Sequence, residues 1–194
     1  MERNIVPVFD YEHAEIHQGN SFSVHYVITT AATDDHRTAI GFKTPNTTKW
    51  GHLVVTISTT DPAEFFLDEA PTIDDDAGTQ KAILNRNRNT LTSTSGMLSL
   101  ESPGVVNKVT TYTEAQIAAA NYSAGTILTN PQLAAGSNPF AVGGTARGNQ
   151  EWVLDQNVKY LFMIQNVGAN ANTHSIQLDW YEHTLNDTFE PNIS

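Results

Sequence analysis

His13 and His17, in Tyr11-Glu12-His13-Ala14-Glu15-Ile16-His17, stand four residues apart. On a helix that spacing turns two imidazoles to one side, where they could grip a transition metal. Gly19 and Asn20 follow at once and the segment feeds a strand-like run. In a strand, positions four apart lie more than ~10 Å apart at the usual rise per residue. A metal pair is therefore not expected, and the two histidines read as surface or interface groups. Tyr-Glu-His recurs as Tyr181-Glu182-His183. Neighbouring terminal strands would bring two carboxylates and two histidines together, although three residues also recur by chance. No cupin-type His-x-His followed by Glu is present, so no metal centre is expected.

Asp74-Asp75-Asp76-Ala77-Gly78 has the look of a calcium loop. Setting Gly78 at the glycine of an EF-hand leaves Ile73 and Ala77 where oxygen ligands belong and Leu84 at the last position, so the motif fails. A solvated acidic turn capping a following helix is expected instead. In Asn85-Arg86-Asn87-Arg88-Asn89, alternate residues of an extended chain would point both guanidinium forks to one side. Their expected partners are carboxylates, within the chain at the acidic turn or Glu151, or on another subunit. There is no Gly-x-Ser-x-Gly elbow. Gly143-Gly144-Thr145-Ala146-Arg147-Gly148 lacks the Gly-Lys-Ser/Thr of a phosphate loop. Nothing reads as an active site; no enzyme, cofactor or metal is expected.

The elements that would position these groups are strands. Phe22, Val24, Tyr26 and Ile28 share one face of a period-two run, as do Val158, Tyr160, Phe162 and Ile164, and Ile176, Leu178 and Trp180. The last two runs are separated by Val167-Gly168-Ala169-Asn170-Ala171-Asn172-Thr173, which predicts a hairpin pairing them. Further strands are predicted over 38–43, 52–60, 64–67, 97–100, 105–111 and 151–154. Short helices are predicted over 77–85 and over 113–121, the second with Thr113 as cap and Gln116 at the third position. Trp152 and Trp180 are expected inside, while the direction of Trp50 is open. Eight or nine short strands with almost no helix predict an all-β protein, an antiparallel β-sandwich. Long irregular links favour a jelly roll, with an immunoglobulin-type sandwich as competitor.

The chain has 194 residues, a formal charge of −11 and no cysteine. That length suits one core, and without cysteine there is no disulfide framework, thiolate nucleophile or Cys-rich zinc site. Asp10 and Glu12 interrupt the start before a signal-type apolar stretch forms, and no apolar run approaches the ~20 residues of a membrane span. The acidic excess disfavours nucleic acid as a partner. From Tyr112 to Gln150 the only charges are Glu114 and Arg147. This stretch reads as a long irregular insertion, either mobile or a contact segment buried against another chain through Tyr122, Leu133 and Phe140. The expected organisation is an arm over 1–14, a β-sandwich over 15–185 and a tail over 186–194.

A scattered pattern spans residues 15 to 183: Glu15-Ile16-His17-x-Gly19-x-x-Phe22, Thr44-Pro45-Asn46-Thr47-Thr48-Lys49-Trp50-x-His52, Asn85-Arg86-Asn87-Arg88, Glu151-Trp152-x-Leu154 and Leu178-Asp179-Trp180-Tyr181-Glu182-His183. It resembles a class of tailed-bacteriophage virion proteins, the capsid decoration or cement proteins. The resemblance implies a jelly-roll or related β-domain, made in the host cytoplasm, that sits on the outer capsid surface. It implies binding to the phage major capsid protein and to itself, as a homotrimer or homodimer, with no nucleic acid or membrane partner. The expected contacts are Ile5, Val6, Val8 and Phe9 of the arm, able to add to a neighbouring sheet edge, with Arg86, Arg88, Tyr122, Leu133 and Phe140. The alternative is a receptor- or glycan-binding head of a phage fibre, using Trp50 or Tyr122 as a stacking platform.

Overall fold

Alternating apolar positions pair off into two antiparallel sheets that face each other across one core. The computed structural model describes residues 11–74, 77–89, 93–101, 104–118, 121–134, 140–142 and 151–184. The chain opens with helix α1 (Tyr11–Gln18) and continues through β1 (Ser21–Thr29), β2 (Arg37–Lys43), β3 (Lys49–Thr59) and β4 (Ala63–Glu69). The short strands β5 (Thr72–Ile73), β6 (Thr79–Ala82) and β7 (Leu84–Asn85) lead to β8 (Lys108–Tyr112) and helix α2 (Glu114–Ile117). Then come β9 (Tyr122–Ser123), β10 (Thr126–Thr129), β11 (Gln132–Leu133), β12 (Phe140–Val142), β13 (Trp152–Leu154), β14 (Lys159–Asn166) and β15 (Thr173–Thr184).

The first sheet runs β12-β3-β15-β1-β7, with β13 also on β3; the second runs β10-β4-β14-β2-β8-β6, with β11 also on β4. The pairing is nested. β1 lies on β15, β2 on β14, β3 on β12 and β13, and β4 on β10 and β11, so the outermost strands in sequence are partners and each inner pair follows. Among the described residues no helix is long and apolar enough to cross a membrane.

Inward-facing Phe22, Val24, Ile176, Leu178 and Trp180 of the first sheet meet Phe42, Tyr160, Phe162 and Ile164 of the second. Trp180 is fully buried and anchors the centre, 6.0 Å from Phe22 and 6.1 Å from Phe42, which itself stacks on Phe162 at 5.5 Å. Such ring pairs add ~0.5–1.5 kcal/mol each beyond the area they bury. A second, smaller core lies on the other side of the second sheet, where Ile73, Leu100, Tyr112 and Ile117 cover Ala39, Leu161 and Met163. The centre of the second sheet, at β2, β8 and β14, is thus buried on both faces.

That double burial explains the hairpin expected between β14 and β15, which does not form: the two strands lie in different sheets. Tyr160, Phe162 and Ile164 fill one core while Leu161 and Met163 fill the other, so β14 takes a central place between β2 and β4. The link crosses the sandwich, and Asn172 fixes its corner by accepting from the Thr60 and Asp61 amides at 2.9 and 3.0 Å and donating to the Asp61 carbonyl.

The helix predicted over 77–85 is replaced by β6 and β7, because only Ile83 of that stretch is apolar and buried, while the free edge of β8 offers backbone partners from Thr79 to Ala82. The insertion expected between 112 and 150 is not irregular where described: β10 and β11 close one sheet edge on β4 and β12 closes the other on β3. Residues 97–100 form no strand; Leu98 makes two isolated bridges, to Lys43 and to Val106. Within 113–121 the helix covers Glu114–Ile117, and the Thr113 amide donates to the Gln116 carboxamide at 2.9 Å, the reciprocal half of the expected capping box.

Leu133, expected on a contact surface, is 4% exposed and closes the main core from β11. Leu133→Ala should therefore cost about 2–5 kcal/mol of unfolding free energy in urea titrations, whereas a surface contact residue would leave the midpoint unmoved.

Candidate functional site

The first sheet presents its outer face as the place where outward side chains of several strands, most of them half-buried, come together. Residues pointing outward are the odd positions of β1, the even positions of β3 and the odd positions of β15, because their neighbours fill the core. The register sets Thr56 beside Gln177 and Val54 beside Asp179 on β15, with His25 and Ser23 on the far side of the same residues. Among these outward positions on the three strands, Asp179 is the only Asp, Glu, Lys or Arg. Two uncharged bonds knit the face, His25 to Ser175 at 2.9 Å and Thr29 to Thr173 at 3.1 Å, and the Gln177 amide donates to the Asp179 carboxylate at 2.8 Å. A protein of charge −11 thus carries a nearly neutral sheet face.

At one end of this face the rings gather. Trp50 is the register partner of His183, and His52 of Tyr181. The His52 ring lies 4.6 Å from Tyr181, nearly parallel, and 4.5 Å from His183. Glu151, just before β13, brings a carboxylate to 3.5 Å from His52 Nδ1 and accepts from the Tyr181 hydroxyl at 3.3 Å. His52 and Glu151 are well covered, with side chains 16% and 17% exposed. The arrangement can stack on a flat apolar or sugar surface and can hold an imidazolium beside a carboxylate. Among the described residues no three His, Cys, Asp or Glu side chains converge to hold a metal ion.

The deeply buried polar groups hold the fold. Asp68, on the far side of the second sheet, accepts from the Tyr122 hydroxyl at 2.7 Å and the Gly125 amide at 3.0 Å. Burial pushes the Asp68 carboxyl above its ordinary range against the pull of those two bonds, and burial together with the Asp68 bond raises the Tyr122 phenol. Gly125 is required here, since a Cβ would come within 2.2 Å of the Glu69 carbonyl oxygen. His174 lies between Thr38 and Asn166, with Nδ1 and Nε2 each 2.8 Å from its partner. Asn166 directs its amide nitrogen at the Thr33 carbonyl, so its oxygen faces the ring; Nε2–H donates to it and Nδ1 accepts from Thr38.

Cations lie elsewhere. Lys43 and Lys159 face each other across β2 and β14 at a recess of about 450 Å³ beside Ser99 and Glu101. Among the described residues, the carboxylate that Arg86 pairs with is Glu12 of α1, at 2.7 Å, and not Glu151. Its neighbours assist, Asn85 donating to the Gly19 carbonyl and Asn87 to that of His17, so the Asn-Arg-Asn run clamps α1. Arg88 is exposed in the following turn. Because α1 is helical, His13 and His17 do meet, with ring centroids 5.0 Å apart, contrary to the extended reading. The two Tyr-Glu-His tripeptides lie on packed elements, yet Glu12 goes to Arg86 while Glu182 goes to Ser95 and Gly96.

Tyr122 is half-buried and committed to Asp68. Phe140 lies on β12 opposite Ile57. Ile5, Val6, Val8 and Phe9 lie outside the described residues, as do Asp75 and Asp76. Trp180 is in the core, Trp152 packs against it, and Trp50 is half-exposed. The neutral face was absent from the sequence reading. Its signal was there in the polar, uncharged outward positions of three separate strands, which become one surface only once β1, β15 and β3 are known neighbours. Comparison with protein-family models and with curated proteins finds no match for the chain.

Proposed function

We propose that this protein is a structural component of a tailed-phage virion that binds the outer surface of the capsid and bridges its subunits, reinforcing the shell. The observation that carries the reading is the nearly neutral outer face of the first sheet in a chain of charge −11. Interface centres are depleted of charge, since each charge buried there must be desolvated. An acidic remainder suits a site away from packaged nucleic acid. The nested pairing of β1 with β15, β2 with β14, β3 with β12 and β13, and β4 with β10 and β11 supports the jelly-roll reading, one long antiparallel ribbon rolled upon itself. The resemblance of the sequence to decoration proteins supplies the partner.

In mechanism, the protein binds the assembled lattice better than its precursor and stabilises it by mass action. At a hundredfold excess over Kd this amounts to about 2.7 kcal/mol per site, and repeated contacts multiply it. Thr56, central on the face opposite Gln177, gives the test. Thr56→Glu should weaken binding to purified shells lacking the protein by about tenfold or more, because it buries an unpaired carboxylate. Deletion of residues 1–10 should lower occupancy with the β-sandwich still folded. Unchanged occupancy in both variants would defeat the reading. Deleting 112–150 is not a usable test, since it removes strands of both sheets and Leu133 from the core.

A further inference from the structure

Among the described residues, the edge of the first sheet at β1 is open beyond Ser23. β7 pairs only with Phe22 and Ser23, and among the described residues no strand continues along the remainder of β1. The Ser21 carbonyl accepts from the Arg86 amide on the β7 side, whereas the Thr30 amide donates to Asn172 on the β15 side. Backbone direction alternates along a strand, so the odd residues His25, Val27 and Thr29 direct both N–H and C=O out of the sheet edge.

Edges of this kind template pairing with another chain, and natural proteins blunt them with lysine, proline, bulges or extreme shortness. This one has none of those devices. Its register with β15 is continuous from Ser21 to Thr29, without a bulge. Val27 is 50% exposed on the outer face, and from Ser21 to Thr30 there is no Asp, Glu, Lys, Arg or Pro. At the near end Leu84 of β7 is also 57% exposed.

We infer that the open edge of β1 pairs antiparallel with the same edge of a second copy, centred on Val27, to make one continuous sheet across a two-fold axis. The edge is self-complementary. With Val27 opposite its own copy, His25 falls opposite Thr29, and all three residues present hydrogen-bonding groups in the same phase, giving about six backbone bonds. The two Val27 side chains then lie side by side on the outer face, which hides both from water. The exposed Ala31 and Ala32 of each copy continue toward the partner's β7, at the exposed Leu84. The self-complementary register selects a second copy, and charge permits it: two chains of −11 repel elsewhere, whereas this uncharged strand lets them touch without setting carboxylates face to face. The pairing does not depend on what the assembled protein binds.

The test reads mass and amide exchange on the full chain. Light scattering should give twice the chain mass, with the Val27 amide protected although it has no acceptor among the described residues. Val27→Lys sets like charges directly opposite at the axis and should weaken the dimer by about tenfold or more while leaving the thermal midpoint of the monomer unchanged. Deleting residues 1–10 should leave both dimer and protection intact. A monomer at every concentration up to the solubility limit overturns the inference, as does a dimer whose Val27 amide exchanges freely. Loss of protection on deleting residues 1–10 would assign the edge to the arm instead and equally overturns it.

Discussion

Replacing Glu182 with alanine should remove about 3–5 kcal/mol of unfolding free energy, read by urea denaturation with circular dichroism and tryptophan emission. The side chain is 2% exposed and faces the core side of β15. Its Oε1 accepts from the Ser95 hydroxyl at 2.5 Å and from Trp180 Nε1 at 3.0 Å, and its Oε2 from the Gly96 amide at 2.9 Å. Alanine strands three buried donors at once, each with a desolvation penalty of ~1–3 kcal/mol. Glu182→Gln keeps one oxygen for Ser95 and Trp180 but turns an amide N–H₂ toward the Gly96 N–H, so it should cost less than alanine without being neutral. The carboxylate also ties residues 95–97 to the end of the sheet, directly behind Tyr181 and His183 of the outer face. Loosening it should therefore disturb the ring group as well. A loss below 1 kcal/mol in the alanine variant would show that Glu182 does not anchor this end.

Where one face is buried and the other wet, period-two patterning sufficed: the inward residues of β1 and β15 were legible because polar neighbours separate them. β14 defeats that logic. Its Tyr160-Leu161-Phe162-Met163-Ile164 run is buried on both sides, which tells of a central strand but not of which strands flank it, and the turn-rich segment after it gave a false hairpin. α1 failed for a different reason. Gly19 and Asn20 argued against a helix, yet they end one: Gly19 adopts φ +80°, its amide returns to the Ile16 carbonyl and the Asn20 amide to that of Glu15. The same two residues that break a helix also close one, so their place in the sequence does not tell whether a helix precedes them.

The candidate site was less legible than the fold, and the cause is long-range. Motif reading favours conspicuous residues such as Arg86, Tyr122 and Leu133, which the fold commits to Glu12, Asp68 and the core. The neutral face consists of ordinary residues, Ser23, Thr56, Ser175 and Gln177 among them. They acquire meaning from the pairing of strands far apart in sequence, as where His25 bonds Ser175, 150 positions away. The same holds for the rings: Trp50 and His52 are close to Tyr181 and His183 only through the β3–β15 ladder.

Acidification should destabilise the protein by about 3 kcal/mol between pH 7 and pH 4 through His174 alone. Burial pushes this imidazole down from its ordinary 6.5 to about 4, with nearby His36 adding to the effect. The folded state keeps it neutral, with Nε2–H given to Asn166 and Nδ1 taken by Thr38. A second proton on Nδ1 would meet the Thr38 hydroxyl in a site closed to water. The unfolded chain takes that proton freely below pH 6.5, so it binds more protons than the fold, and stability rises with pH across this range. The contribution is complete above pH 6.5 and is lost as pH falls through about 4. Asp68 works the other way: its carboxyl is held above the usual range, so its penalty is relieved only as the pH falls toward that of ordinary carboxylates. His174→Gln supplies the control. It should be less stable than the wild type at pH 7, having lost the fitted ring, but its stability should change by about 3 kcal/mol less between pH 7 and pH 4. Equal slopes in the two proteins would remove His174 as the source of acid sensitivity.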